Sequence, residues 1–334
     1  MNLHSINLRK NSGFSLVELM IALLLGLFLI GGVISVFLSN RVAYRQNENL
    51  ARIQENARYA FEVMGRDIRE AGGIACGSNL LTANVLNDKS TTWWANWGDG
   101  LQGYEGDETL PAKANGTGAT DRVAGTDAVV IHTGTDDNGV TITEHNPASA
   151  QFKVNTTAHG IVDGDVLLVC DYKQAAIFQT TNASSTNVTI VHNTGTGTPG
   201  NCSKGLGYPT VCTALGTPYT FEGGGLMTKL AANAWYIGFN GRGGRSLYRV
   251  SGTPTPVAEE IAEGVTDLQI QYLAKDAGGS LPASYVDADA ITDWTRVVAT
   301  RLVFTIQSLE NVGTDAQPLE RTWNVVVSLR NRVS

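Results

Sequence analysis

"NSGFSLVELMIALLLGLFLIGGVISVFLSN", residues Asn11–Asn40, decides how this chain is built. Between Glu18 and Arg41 lie 22 consecutive uncharged residues. As an α-helix they span about 33 Å, close to the hydrocarbon thickness of a bilayer, so a membrane span is expected over about 19–40. Arg9 and Lys10 precede the run, and the positive-inside rule keeps that end in the cytoplasm and sends the remainder outward. The run is too long for an ordinary secretory signal, and no A-x-A-like site follows it promptly. Its only carboxylate, Glu18, sits just inside the start, where an unpaired ionised group costs several kcal/mol in hydrocarbon. Its retention calls for a partner.

Ser12-Gly13 followed by Phe14-Ser15-Leu16-Val17-Glu18 resembles the class III signal of type IV prepilins and pseudopilins. The resemblance implies that a prepilin peptidase cuts between Gly13 and Phe14, removes residues 1–13 as a leader, and leaves the new amine of Phe14 to be N-methylated. Glu18 is then the fifth mature residue, the position whose carboxylate meets the amino terminus of a neighbouring subunit in that family. Such pairing offsets the desolvation and fixes the axial register between subunits, the best-attested use of a buried ion pair. A glutamate in the first turn of a helix also gains from the macrodipole. Gly26, Gly31 and Gly32 each cost about 1 kcal/mol relative to Ala inside a helix, and permit either close packing or local unwinding.

Beyond the span, Leu50, Ile53, Ala57, Ala60, Met64, Ile68 and Ala71 recur at three and four residues, one apolar face of a continuing helix. Glu48 with Arg52, and Glu62 with Arg66, stand at ion-pair spacing on its solvent side. Gly72-Gly73 ends it. One helix over 14–73 is therefore expected, half in lipid or filament and half packed on a head.

The head, 74–334, changes to short β-like runs separated by turn signals. With 43% hydrophobic and 16% charged residues and 37 Gly, the chain has the balance of a β-rich domain with long polar loops. Strands are expected near 128–132, 140–144, 151–155, 166–171, 176–181, 188–192, 234–239 and 247–250. Longer ones over 265–273, 298–307 and 322–329 should lie under the helix. Asp137-Asn138-Gly139 signals a hairpin between the first two. The Gly- and Pro-rich segment 196–225 reads as a long loop dividing an inserted subdomain, about 74–220, from a carboxyl-terminal sheet, about 226–334. Cys76, Cys170, Cys202 and Cys212 lack the CxxC spacing of a metal or redox site and allow three connectivities. In an oxidising compartment pairing is expected, and the ten-residue separation favours Cys202 with Cys212, leaving Cys76 for Cys170.

"ENARYAFEVMGRDIREAGGIAC" (55–76), "GTDAVVIHTG" (125–134), "GDVLLVCDYKQAAIFQTT" (164–181), "LYRV" (247–250), "EEIAEGVTDLQIQYL" (259–273) and "VVVSLRNR" (325–332) are similar to the PilW minor pilins of Gram-negative type IV pili. The resemblance implies an α+β pilin-like fold, a long amino-terminal helix packed on an antiparallel β-rich head. It further implies a single-pass inner-membrane protein with a periplasmic head that moves into the pilus, at its tip and on the cell surface. There it would prime assembly and join minor pilins of the FimU, PilV, PilX and PilE types, the major pilin and a PilY-type adhesin, in support of adhesion and twitching motility. No catalytic residue, cofactor or metal is carried over, because the family has none. A minor pseudopilin of a type II secretion system shares the leader and helix and differs in its partners. A periplasmic enzyme on a single-helix anchor is the reading from another class.

Little in the sequence favours chemistry. A net charge of -7 without clustered Lys and Arg excludes a nucleic-acid surface. His132, His145, His159 and His192 flank strands without ligand spacing. "TDDNGVTITEH" has Gly134 and His145 where a calcium loop needs carboxylates, and reads as a hairpin. "GFNGRGGR", 238–245, lacks a P-loop ending and reads as a flexible loop. Trp93, Trp94 and Trp97 form an aromatic cluster that either packs locally or serves a subunit contact.

Overall fold

The computed structural model describes residues 13, 15–77, 80–98, 100–135, 139–313 and 315–332. Its amino-terminal element, α1, runs unbroken from Leu16 to Glu70, 55 residues or about 80 Å. Gly26, Gly31 and Gly32 lie within it without a break. Ala71 caps it, and Gly72, at a positive φ of 66°, turns its amide to the His132 carbonyl, so the chain leaves the helix directly onto the sheet.

The head begins with β1 (Leu81–Asn84), β2 (Leu101–Tyr104), β3 (Ala128–Thr135), β4 (Ile142–Asn146) and β5 (Gln151–Val154). Then come β6 (Val166–Cys170), β7 (Gln174–Gln179), β8 (Asn182–Ala183), β9 (Thr189–Val191) and β10 (Leu226–Phe239). It closes with β11 (Arg245–Ser251), β12 (Val257–Glu263), β13 (Val265–Ala274), β14 (Val297–Gln307) and β15 (Glu320–Ser328).

These strands form three sheets. An eight-stranded sheet has the order β1-β7-β6-β10-β11-β12, with β3 also on β10 and β2 on β3. A four-stranded sheet, β4-β5-β9-β8, builds an outer lobe, and β13-β14-β15 form an antiparallel sheet beside the helix. The head's pattern of antiparallel sheets under one long helix is the α+β, pilin-like architecture expected.

The division within the head is different from the expected one. Residues 226–263 belong not to the carboxyl-terminal sheet but to the eight-stranded one, which reaches back to β1. β10 is the cause: Leu226–Lys229 pair with β6, Lys229–Trp235 with β3, and Asn233–Phe239 with β11, so one strand of 14 residues ties the outer lobe to the helix side. The hairpin expected at 137–139 falls partly outside the described residues, and its flanking strands do not pair. β3 pairs with β10 and β2, and β4 with β5.

Four apolar clusters hold these layers. In the first, Ile53, Ala57, Ala60, Met64, Ile68 and Ala71 of the helix stripe meet Val129, Ile131, Trp235 and the inward residues of β13–β15. This is the helix seat. In the outer lobe, Phe152, Phe178, Ile190 and Phe221 close a separate core between the four-stranded sheet and one face of β6–β7. The opposite face of β6–β7 carries Leu168, Cys170 and Ile177 against Trp94, so both faces are covered and the sequence there is a continuous apolar run. Cys76 is joined to Cys170 and Cys202 to Cys212. The first bridge, 94 residues apart in sequence, ties the exit of the helix to β6, and such a closure restricts the unfolded chain by about 4 to 5 kcal/mol.

Candidate functional site: the amino-terminal helix and its seat

The start of α1 is closed by a reciprocal cap. Ser15 Oγ accepts from the Glu18 amide at 3.2 Å, and Glu18 Oε2 accepts from the Ser15 amide at 3.1 Å. Two of the helix's otherwise unbonded donors are thereby satisfied by the pair. Glu18 thus has a task within its own chain, and Ser15, for which the sequence reading found no role, shares it. The S-x-x-E spacing ahead of an apolar run was the available signal. Gly13 is exposed, with nothing within 4 Å of where a Cβ would stand. Phe14 lies outside the described residues.

From Leu16 to Tyr44 the helix lies exposed, covered by none of the described residues of its own head. Leu23, Leu27, Phe28, Leu29 and Phe37 are all more than 60% exposed, on every side of the helix. The segment is long and apolar enough to cross a membrane. An apolar surface on all sides suits lipid or other helices, not water.

Polar contacts begin where the span ends. Arg45 Nη2 meets Glu310 Oε2 at 2.8 Å, with Nε at 3.2 Å, and Gln46 Nε2 donates to the Val312 carbonyl at 2.7 Å. The hydrogen bonds from Arg45 hold the Glu310 carboxyl below its usual range. Ten residues, or nearly three turns, beyond Gln46, Asn56 Nδ2 donates to the Glu263 carbonyl at 2.9 Å. Of the two expected helical ion pairs, Glu48–Arg52 closes at 2.9 Å, whereas Glu62 and Arg66 form no bridge among the described residues.

Buried in the seat is Asp67, whose Oδ2 accepts from Trp235 Nε1 and from Asn233 Nδ2, each at 2.9 Å. Burial pushes its carboxyl above the usual range, against the pull of those two donors and of Arg249. Asp127, just before β3, accepts from the Ile270 amide of β13 on Oδ2 at 2.8 Å, and burial takes it to about 7. The seat therefore fixes the helix in rotation and height by directional bonds as well as by apolar contact.

The residues that might have carried chemistry are structural. His132, in β3, places Nε2 3.0 Å from the Trp93 carbonyl, and burial lowers it to about 4. His159 Nδ1 accepts from the Ile161 amide at 3.0 Å. In the outer lobe, His145 and His192 bring their Nε2 atoms to 3.2 Å, a separation that two ligands of one metal would also show. The Phe221 amide, however, donates to His145 Nδ1 at 3.1 Å, so the neutral ring carries its proton on Nε2 and donates to His192, leaving no lone pair there for a metal. Trp93, Trp94 and Trp97 pack onto Leu168 and Ile177, as local packing and not as an exposed patch. "GFNGRGGR" is not a flexible loop but the tight connection between β10 and β11. Asn240 Oδ1 accepts from the Arg242 and Gly244 amides, and Arg242 is held by Glu260 and Glu263.

Residues 234–330 match the family model of PilW, type IV pilus-assembly protein W, and residues 8–34 match the prokaryotic N-terminal methylation motif. No curated protein and no solved structure matches the chain. The two matches are those of a PilW-like prepilin with a class III signal, and they fall on the two parts described above: the head of the helix, and the strands from the second half of β10 to β15 that seat it. They support a minor-pilin role, processing by a prepilin peptidase, interaction with other pilins, and inner-membrane anchoring followed by incorporation into a pilus. Domains of these families are structural rather than catalytic.

Proposed function

We propose that this chain is a minor pilin that primes type IV pilus assembly at the inner membrane and then stands in a tip complex with other minor pilins and a PilY-type adhesin. Its head faces the periplasm before the subunit is drawn into the filament. The prepilin peptidase cuts between Gly13 and Phe14, Phe14 becomes the methylated terminus, and Glu18 neutralises the terminal ammonium of an adjoining subunit. The observation that carries the reading is the helix Leu16–Glu70, continuous in its backbone and covered by its own head over only its second half.

The cap and the intersubunit pair are compatible. Glu18 Oε2 is the atom turned to Ser15, and a carboxylate has acceptor capacity for a further cation. They are also separable. Glu18→Gln retains an acceptor for the Ser15 amide and removes the charge, Glu18→Ala removes both, and Ser15→Ala removes only the cap, costing about 1 kcal/mol at the helix start. With Gly13→Ala as the uncleaved reference, all three variants should be processed to Phe14. Recovery in sheared pili should fall by roughly tenfold or more for both Glu18 variants, because an unmatched buried ammonium costs several kcal/mol, and stay near normal for Ser15→Ala. Normal incorporation of Glu18→Gln would reduce Glu18 to a cap.

A further inference from the structure

We propose that the cleft between β1 and the outer end of the carboxyl-terminal sheet binds an extended, acidic segment of another protein as an added strand. The cleft has a volume of about 730 Å³, with Leu81 and Thr82 on one wall, Lys275 and Arg296 on the other, and Tyr208 and Trp97 among its lining.

One wall is an open backbone edge. Among the described residues β1 stands at the end of the eight-stranded sheet and pairs on one side only, in parallel, with β7. The Val85 amide donates to the Ile177 carbonyl at 2.9 Å while Asn84 is the residue opposite Ile177. In a parallel ladder that parity turns the backbone groups of Leu81, Ala83 and Val85 toward β7, and those of Thr82 and Asn84 outward. The Asn84 carbonyl is taken by Lys89 Nζ at 2.7 Å, so the open stretch is at Thr82, inside the cleft. Beside it Leu81 is 57% and Tyr208 48% exposed. The Tyr208 segment is fixed in place, since its amide donates to Gln174 Oε1 at 3.2 Å.

The facing wall is cationic in a chain whose formal charge is -7. The Lys275 amide donates to the Arg296 carbonyl at 2.9 Å, which sets the two side chains at the same end of the sheet. Of the acids nearby, Asp276 spends Oδ1 on the amides of its own turn, Gly278 at 2.8 Å and Ser280 at 2.9 Å, and Asp293 pairs with Arg296 at 2.9 Å. Lys275 Nζ has the Arg332 carbonyl as its partner, at 3.4 Å. A small anion would use the cations and leave the strand edge and the two apolar side chains idle. A polypeptide strand with a carboxylate uses all three, by the backbone pairing and alternate side-chain pockets of β-strand addition.

The full chain in nanodiscs is panned against a displayed library of random peptides of about nine residues. Selected peptides should carry Asp or Glu beside alternating apolar residues. A synthesised winner should lose about tenfold or more in affinity for the double variant Lys275→Glu, Arg296→Glu, and its Glu→Lys counterpart should bind that variant better than the wild type. Methylating alternate backbone nitrogens of the winner should abolish binding on one of the two registers, a readout that needs no altered protein. Absence of enrichment over empty nanodiscs, winners without acidic bias, or indifference to both the charge reversal and the N-methylation would each overturn the proposal.

Discussion

In the helix seat a buried carboxylate, Asp67, is held by two neutral donors, whereas in the outer lobe two buried imidazoles, His145 and His192, hold each other, with the Phe221 amide on His145. Around the first lies the apolar stripe of α1 against β13–β15, and around the second a stack of Phe152, Phe178 and Phe221, with the His145 ring 3.9 Å from that of Phe152. β10 runs through the neighbourhoods of both, from Leu226 beside β6 to Trp235 beside Asp67. The PilW match, 234–330, takes in Trp235 and β13–β15 of the seat, whereas residues 35–233, which hold the helix stripe as well as the whole lobe, are reached by neither family match. The difference separates a surface that docks a helix from a lobe with a core of its own. It also separates their responses to perturbation.

The largest effect should come from emptying one core while watching the other. Phe152 is wholly buried in the lobe, and Phe152→Ala should cost about 3–5 kcal/mol there. Hydrogen exchange should rise across β4, β5 and β9, while the amides of residues 57–68 in α1 keep their protection. Equal loss of protection in the helix would show that β10 couples the two into one cooperative unit, and would erase the distinction.

Acid should separate them next. His145 is lowered to about 4 and His192 to about 3, chiefly by burial, and each proton taken up also breaks a hydrogen bond, since Phe221 donates to one ring and that ring donates to the other. A folded-state pKa depressed below the unfolded value near 6.5 means that stability is fully present above that pH and is lost as pH falls toward 4. The pair titrates as a unit, and because the unfolded chain takes up two protons before the folded pair does, the loss should be on the order of 5 kcal/mol by pH 4.5. In the seat, Asp67 and Asp127 are raised, the latter to about 7, so their contribution has the opposite sign: present at low pH and lost as pH rises through their folded values. Exchange corrected for intrinsic rates should thus show β4, β5 and β9 loosening between pH 6.5 and 4.5 before residues 57–68 of α1 do, with β3, whose His132 is likewise lowered to about 4, following the lobe. His192→Gln, which keeps an acceptor for His145, should shift the lobe's midpoint downward. Parallel loosening of both regions would contradict the assignment.

What was legible in the sequence follows the same line. The stripe from Leu50 to Ala71 was readable because one flat surface covers it, so the helical period survives, and β13–β15 were readable as long apolar runs under that surface. The two glycines at the helix end were equally plain. β12, an acidic edge strand, gave no apolar alternation, and the first half of β10 is flanked on both sides and gave none either. The turn signal near residue 138 reported a chain reversal, but turn chemistry does not say which strand becomes the neighbour, and β3 found its partner about a hundred residues later. His145 and His192 come together through the lobe's tertiary fold, for which no local spacing could stand.

The smallest effect should lie at the base of the seat, where Arg45 meets Glu310 with both side chains about half exposed, 49% and 52%. Solvent screens such a pair, and Arg45→Ala should cost little stability, a difference that disappears in high salt. Position gives the contact its interest. Arg45 lies four residues after Arg41, the first charge beyond the apolar run, and Glu310 lies on the connection between β14 and β15, so the bond joins the exit from the membrane to the rim of the helix-bearing sheet. Asp67 and Met64, some twenty residues along the helix, hold the head whether or not this bond forms. Arg45→Ala should therefore leave the denaturation midpoint nearly unchanged while raising exchange at residues 45–50. A cost of several kcal/mol would mean that the head is held from its base, and that the deep carboxylate and the apolar stripe are the lesser part of the seat.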